Sequence, residues 1–216
     1  MLNRFELLIN FLGAWIVSGI VFAILKRKMR DILPKGSIVI NAAAPIKSEQ
    51  KPGSRISKLG VTIGMGTSSL TYIVVIILCV FDLWDFVSNL ITINLPYWVN
   101  WVGIIGIWID YLYGLTIMVY NVNYTPLFKP MKGKYVLATG GPYSLMRHPM
   151  YVIYFYRLFF IFLVTGIWVM LIGLIGFIAL PYQAKKEEEA LQELFGKIYK
   201  DYASKTGRFF PKLQRK

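Results

Sequence analysis

Four stretches of the chain run with almost no polar interruption. Residues 5–25 read FELLINFLGAWIVSGIVFAIL and are followed at once by KRKMR. Further apolar runs cover 62–81, 97–120 and 150–182. A bilayer crossing takes roughly 20 such residues. The first run is too long for the hydrophobic region of a signal peptide and has a stop-transfer flank, which predicts a span rather than a cleaved leader. The last run is too long for one crossing and short for two. Gly166 near its middle predicts a tight helical hairpin whose arms only just cross. The pattern as a whole predicts an all-α integral membrane protein with about five transmembrane helices, the last two a tight hairpin, plus a cytosolic C-terminal amphipathic helix.

That last helix is predicted to begin at Gln183. Leu191, Leu194, Phe195, Ile198, Tyr199 and Tyr202 repeat at helical spacing and form one apolar stripe. TGRFFP closes it, with Gly207 and Pro211 as breakers. Carried backwards, the stripe takes in Glu187 and Glu188, whereas Glu189 and Glu193 fall on the other side. A solvated helix start explains Glu189, since carboxylates complement the helix dipole there. Glu187 and Glu188, turned inward beside a bilayer, require a cationic partner.

Charge then orients the spans. The 216-residue chain is 56% hydrophobic and only 16% charged, against roughly a quarter charged in soluble domains. A net charge of +13 suggests nucleic acid only where a soluble module carries a basic face. Here the basic residues lie between apolar runs, so no nucleic-acid partner is expected. Loop 26–60 holds nine Lys/Arg, loop 121–148 four and the tail after 183 nine, whereas loop 82–96 has none. The positive-inside rule places the N-terminus outside and the motif loop and C-terminus in the cytosol. The membrane would be the plasma membrane in a prokaryote and the endoplasmic reticulum in a eukaryote. Loop 26–60, rich in Lys, Pro, Ser and Gly, reads as a solvated segment against anionic headgroups.

Cys79 and His148 are the only residues of their kinds, so neither a disulfide nor a zinc or other metal site is expected. Asp110 and Arg157 lie at membrane depth. Each is a functional candidate, or else a structural acceptor and a snorkelling cation.

The remaining chemistry concentrates in GGPYSLMRHPMYVIYF at 140–155. Pro149 suits the first turn of a helix, where a missing N–H costs nothing. In the plain reading Arg147 anchors the span and His148 sits at its cap. In the sharper reading the free N–H groups of that turn, with Arg147 and His148, form an anion site. Gly-Gly-Pro would let backbone approach a ligand, and Glu187 and Glu188 would meet the same spot. An anion site, a carboxylate pair and apolar walls suit S-adenosylmethionine. Its carboxylate would seek His148, its ammonium or ribose Glu187 or Glu188, and its adenine the VLAT stretch at 136–139 with Leu137.

GPYSLMRHPMY, followed by EE at 187–188, Leu191, FG at 195–196, Tyr199, Tyr202 and FFP, resembles the isoprenylcysteine carboxyl methyltransferase family, whose wider group includes phospholipid N-methyltransferases. The resemblance covers about residues 134–211 and divides the chain into N-terminal spans at 1–133 and a cofactor-binding region at 134–216. It implies a membrane enzyme that takes S-adenosylmethionine from the cytosol, uses no metal and methylates a lipophilic acceptor arriving through the bilayer, most simply the carboxylate of an isoprenylcysteine-like substrate. Gly141, Tyr143, His148, Pro149 and Tyr151 would belong to the cofactor site, as would the acidic pair Glu187 and Glu188. The family places an arginine shortly before that pair. This chain has Lys185 and Lys186 there, so the acceptor clamp is expected from Arg147, Lys185 or Lys186. Two other readings stay open: a sterol-reductase-type enzyme using NADPH, and a membrane scaffold whose tail helix docks a partner.

Overall fold

A computed structural model describes residues 2–28, 33–41, 55–121 and 134–212, and these are predominantly helical. Helix α1 (Arg4–Lys28) is followed by strand β1 (Ser37–Asn41), α2 (Arg55–Val80), the short α3 (Trp84–Ile91) and α4 (Tyr97–Tyr120). Strand β2 (Lys134–Ala138) and the single turn α5 (Pro142–Leu145) lead into α6 (Pro149–Thr165). A 3-10 turn (Val169–Ile172), α7 (Gly173–Phe177), α8 (Leu180–Phe195) and α9 (Lys197–Lys205) complete the order. Among the described residues three helical stretches are long and apolar enough to cross a membrane: Arg4–Lys28, Tyr97–Tyr120 and Val169–Phe195. Gly66–Val80 and Pro149–Thr165 are apolar but shorter.

The bundle core comes from facing apolar stripes. Phe11 and Ala14 of α1, Tyr72 and Val75 of α2, Ile104 and Ile107 of α4, and Leu158 and Ile161 of α6 are all buried in one cluster. Small residues let α4 and α6 approach closely. A Cβ at Gly103 would lie 2.7 Å from the Val164 amide nitrogen. Asp110 and Arg157 face each other across this seam, with Arg157 Nε 2.7 Å from Asp110 Oδ2 and the guanidinium over the Tyr111 ring. Arg157 is therefore an inward ion-pair partner rather than a snorkelling cation.

The expected hairpin turns at Gly166, which caps α6 in the left-handed region at φ 69° and donates to Phe162 O. Its returning arm is broken into the 3-10 turn and α7 before α8 begins. The tail helix therefore starts at Leu180, with Pro181 in its first turn, rather than at Gln183. It also ends earlier than the stripe implies. Gly196, at φ 53°, separates α8 from α9. Leu191, Phe195 and Tyr199 are buried, but Ile198 is 42% exposed and leaves the stripe.

A two-stranded sheet departs from the all-α expectation. β1 pairs antiparallel with β2, Val39 opposite Val136. SIVIN is rich in β-branched residues, which suit a half-buried pleat. Ile38 and Ile40 pack against the cluster of Tyr135, Leu137, Leu191, Phe195 and Tyr199. This part of the basic loop 26–60 is thus built into the fold, while 29–32 and 42–54 lie outside the described residues. The strand pairing also crosses the division drawn at residue 134.

Candidate functional site

β2, α5, the first turn of α6, α8 and α9 enclose a cavity of about 140 Å³. Pro149 starts α6 and His148 caps it, as the sequence predicts. Gly141 precedes α5 with φ 55° and ψ −129°, a conformation reserved in practice for glycine, and brings the backbone against the Tyr120 ring. α8 carries Ala184, Leu191 and Phe195 inward and Glu189 and Glu193 outward, and this phase turns Glu187 and Glu188 toward the motif.

His148 lies between the two acids. Its Nδ1 is 3.4 Å from Glu187 Oε2 and its Nε2 is 3.2 Å from Glu188 Oε1. The imidazole stacks on Tyr151, whose hydroxyl donates to Glu187 Oε1 at 2.5 Å, and Gln183 Nε2 donates to the same oxygen at 3.2 Å. Burial disfavours the imidazolium, but hydrogen bonds to both glutamates outweigh it and raise the His148 pKa.

Glu188 has a different office. Arg147 Nε donates to its Oε1 at 2.8 Å, and Arg208 binds both oxygens, Nη2 to Oε2 at 2.6 Å and Nε to Oε1 at 3.1 Å. Burial would raise the Glu188 carboxyl, but bonds from His148, Arg208 and Arg147 hold it well below the usual carboxylate range. The Arg147 guanidinium also donates to the Ala203 and Thr206 carbonyls. Of the acidic pair, Glu187 lines the cavity and Glu188 braces the arginines behind it.

Among the other sequence candidates, Leu137, Tyr143, Arg147, Pro149 and Tyr151 line the cavity. Gly141 shapes the turn beside it. Lys185 is exposed and Lys186 half-exposed, and neither is brought to the lining. Arg147 is present, but as a strut bonded to Glu188 and two carbonyls.

Sequence reasoning missed Asn121, Arg208 and the placement of Phe209. Asn121, the first residue after α4, donates to the Tyr143 hydroxyl at 2.9 Å. The segment 206–210 straps across the start of α6: Arg147 N donates to Gly207 O at 2.9 Å and His148 N to Arg208 O at 3.0 Å. The lone cation inside TGRFFP was the available signal for Arg208. Phe209 packs on both His148 and Tyr151. Behind that wall lies a second cavity of about 190 Å³, lined by Tyr151, Phe155, Tyr156, Phe177, Phe209 and neighbouring apolar residues.

Tyrosine hydroxyls ring the first cavity. Tyr143 accepts from Asn121, Tyr151 donates to Glu187, and Tyr202 donates to Tyr143 O at 2.7 Å. Tyr199, 3% exposed, has no hydrogen-bond partner for its hydroxyl among the described residues.

Helices long and apolar enough to cross a membrane thus hold a cavity with a charged lining beside an apolar one. Residues 97–198 match the phospholipid methyltransferase family. This region, from the start of α4 into α9, is thus similar to that family of membrane methyltransferases. The chain has no match among curated proteins.

Proposed function

We propose that the protein transfers a methyl group from S-adenosylmethionine to a lipophilic acceptor that arrives through the bilayer. The observation that carries this reading is the pair of cavities sharing Tyr151 as a wall, one lined by Arg147, His148 and Glu187 and the other by aromatic and aliphatic side chains. A soluble, charged donor and a lipid acceptor need such neighbouring, chemically opposite chambers. The residues fit the donor: Glu187 suits its ammonium or ribose hydroxyls, the Val136–Ala138 backbone with Leu137 suits a flat base, and the unpartnered Tyr199 hydroxyl suits an acceptor atom.

When bound, S-adenosylmethionine supplies an electrophilic methyl on a sulfonium. The protein's part is placement and exclusion of water. Glu187, steadied by Tyr151 and Gln183, orients the donor; Arg147 and Arg208 hold the strap and α8 in register through Glu188. Five crossings, formed by α1, the apolar part of α2, α4, α6 and the returning arm up to about residue 182, with the N-terminus outside, leave the cavity on the cytosolic side.

The acceptor we favour is the carboxylate of an isoprenylcysteine-like molecule. It is ionised at neutral pH and attacks without a general base. The matched family's name favours a second acceptor, a phospholipid. A headgroup ammonium must first lose a proton before its nitrogen can attack. S-adenosylhomocysteine binding to detergent-purified protein tests the donor, with Glu187→Gln as control. Micromolar binding weakened in the control supports the reading; absence of binding by folded wild type overturns it. Product analysis with each acceptor then decides between them.

A further inference from the structure

We propose that the Tyr199 hydroxyl is a binding group for the methyl donor, giving a hydrogen bond to an acceptor atom on its nucleoside half. The inference rests on the methyltransferase reading above and deepens it.

Tyr199 is placed by α9, just past the Gly196 break, and is buried in line with Leu191 and Phe195 of α8. The phenol is 3% exposed and forms part of the cavity lining, yet its hydroxyl has no partner among the described residues. The other tyrosine hydroxyls of this cavity each have a defined bond within the protein: Tyr143 with Asn121, Tyr151 with Glu187 and Tyr202 with Tyr143 O. Buried polar groups are nearly always satisfied, and the exceptions require a reason. A ligand in the cavity is the reason the geometry offers.

The same geometry points to the nucleoside half. Tyr199 shares a packed cluster with Leu137 and Leu191, and all three line the cavity. These aliphatic side chains, next to the Val136–Ala138 strand, make an apolar slot suited to a flat base. The ring nitrogens of a purine are hydrogen-bond acceptors and match a phenol that donates. Burial raises the Tyr199 pKa, which keeps that donor proton in place. The charged amino-acid half of the donor finds its complement at Glu187 and His148 instead.

Tyr199→Phe removes only the hydroxyl. Calorimetry on the full chain in detergent, with S-adenosylhomocysteine and with 5′-methylthioadenosine, reads the contact directly. Losing one neutral hydrogen bond should weaken both ligands about five- to tenfold. The melting temperature of the unliganded protein should stay the same or rise, because the hydroxyl has no partner to lose. Tyr202→Phe, which breaks a bond to Tyr143 O, should lower it. Wild-type affinity in Tyr199→Phe overturns the proposal, as does a loss confined to S-adenosylhomocysteine, which would assign the contact to the amino-acid half. A lower unliganded melting temperature in Tyr199→Phe would reveal a structural partner and also overturn it. Failure of wild type to bind S-adenosylhomocysteine at all would instead sink the methyltransferase reading beneath it.

Discussion

Arg147 and Glu188, 41 positions apart in sequence, meet at 2.8 Å between Nε and Oε1. Both side chains are 12% exposed, so the pair is a buried one. It fastens the residue before the α6 cap to the middle of α8, and Arg208 fastens the strap to the same carboxylate. Removing Glu188 leaves the largely buried Arg147 and His148 without their shared carboxylate.

Glu188→Gln should therefore lower stability by about 3 kcal/mol. Thermal unfolding in detergent measures it, and a change below about a third of that would place the clamp's worth elsewhere. Glu187→Gln, which leaves both arginines paired, should unfold near the wild-type temperature while weakening donor binding. The two acids, adjacent in sequence, would thus separate into a structural and a ligand-facing role.

The pH dependence of stability has two limbs. Glu188 titrates lower in the folded protein, so its contribution is complete above its ordinary value of 4.5 and drains away as pH falls toward the folded value. His148 titrates higher in the folded protein, facing Glu187, Glu188, Tyr151 and Phe209. Its contribution is complete below its ordinary value of 6.5 and is lost as pH rises through the folded value. The melting temperature should peak between those two ordinary values. His148→Asn should flatten the alkaline limb and also weaken the acid one, because the imidazole is one of the groups that hold the Glu188 carboxyl low.

The membrane-depth pair predicts non-additivity. Arg157→Leu alone leaves Asp110, 5% exposed, as an unpaired carboxylate whose Oδ1 already has no hydrogen-bond partner among the described residues. The cost should be about 3–5 kcal/mol. Replacing both Asp110 and Arg157 by Leu should cost less than Arg157→Leu, because no charge is stranded. Melting temperatures of the two singles and the double decide it.

Gly141→Ala should damage the site more than the fold. The new methyl would lie 2.6 Å from the Tyr120 ring at a backbone conformation that disfavours any side chain, a cost of about 1–3 kcal/mol. The α5 turn carries Tyr143, so donor affinity should fall further than stability does. Equal donor affinity in the variant would mean the turn tolerates the shift.

Phe209 separates the two cavities. Phe209→Ala should change the KM for a lipid acceptor severalfold while S-adenosylhomocysteine affinity stays within about twofold, consistent with an aromatic wall that touches the donor site only through ring packing. A larger loss of donor affinity would show that the wall supports His148 instead.

Hydropathy alone was enough to find the helices that bury apolar faces, the turn at Gly166 and the start of α6 at Pro149. Each follows from a local rule: an uninterrupted apolar run, a glycine free to take a positive φ, a proline that needs no donor. Helical phase was also enough to turn Glu187 and Glu188 inward, because phase is conserved within one unbroken helix. It failed at Ile198, which lies at the edge of the stripe just past the Gly196 break, whereas Tyr199 stays buried in line with Leu191 and Phe195. Nothing local in SIVIN shows that it will pair with Lys134–Ala138, almost a hundred residues away, since strand pairing depends on where the intervening helices deliver the two segments. The partners of Glu188 were hidden for the same reason. Arg147 and Arg208 are ordinary basic residues in a basic chain. Only folding brings the start of α6, the middle of α8 and the closing strap to one carboxylate, and leaves the Tyr199 hydroxyl without a partner among the described residues.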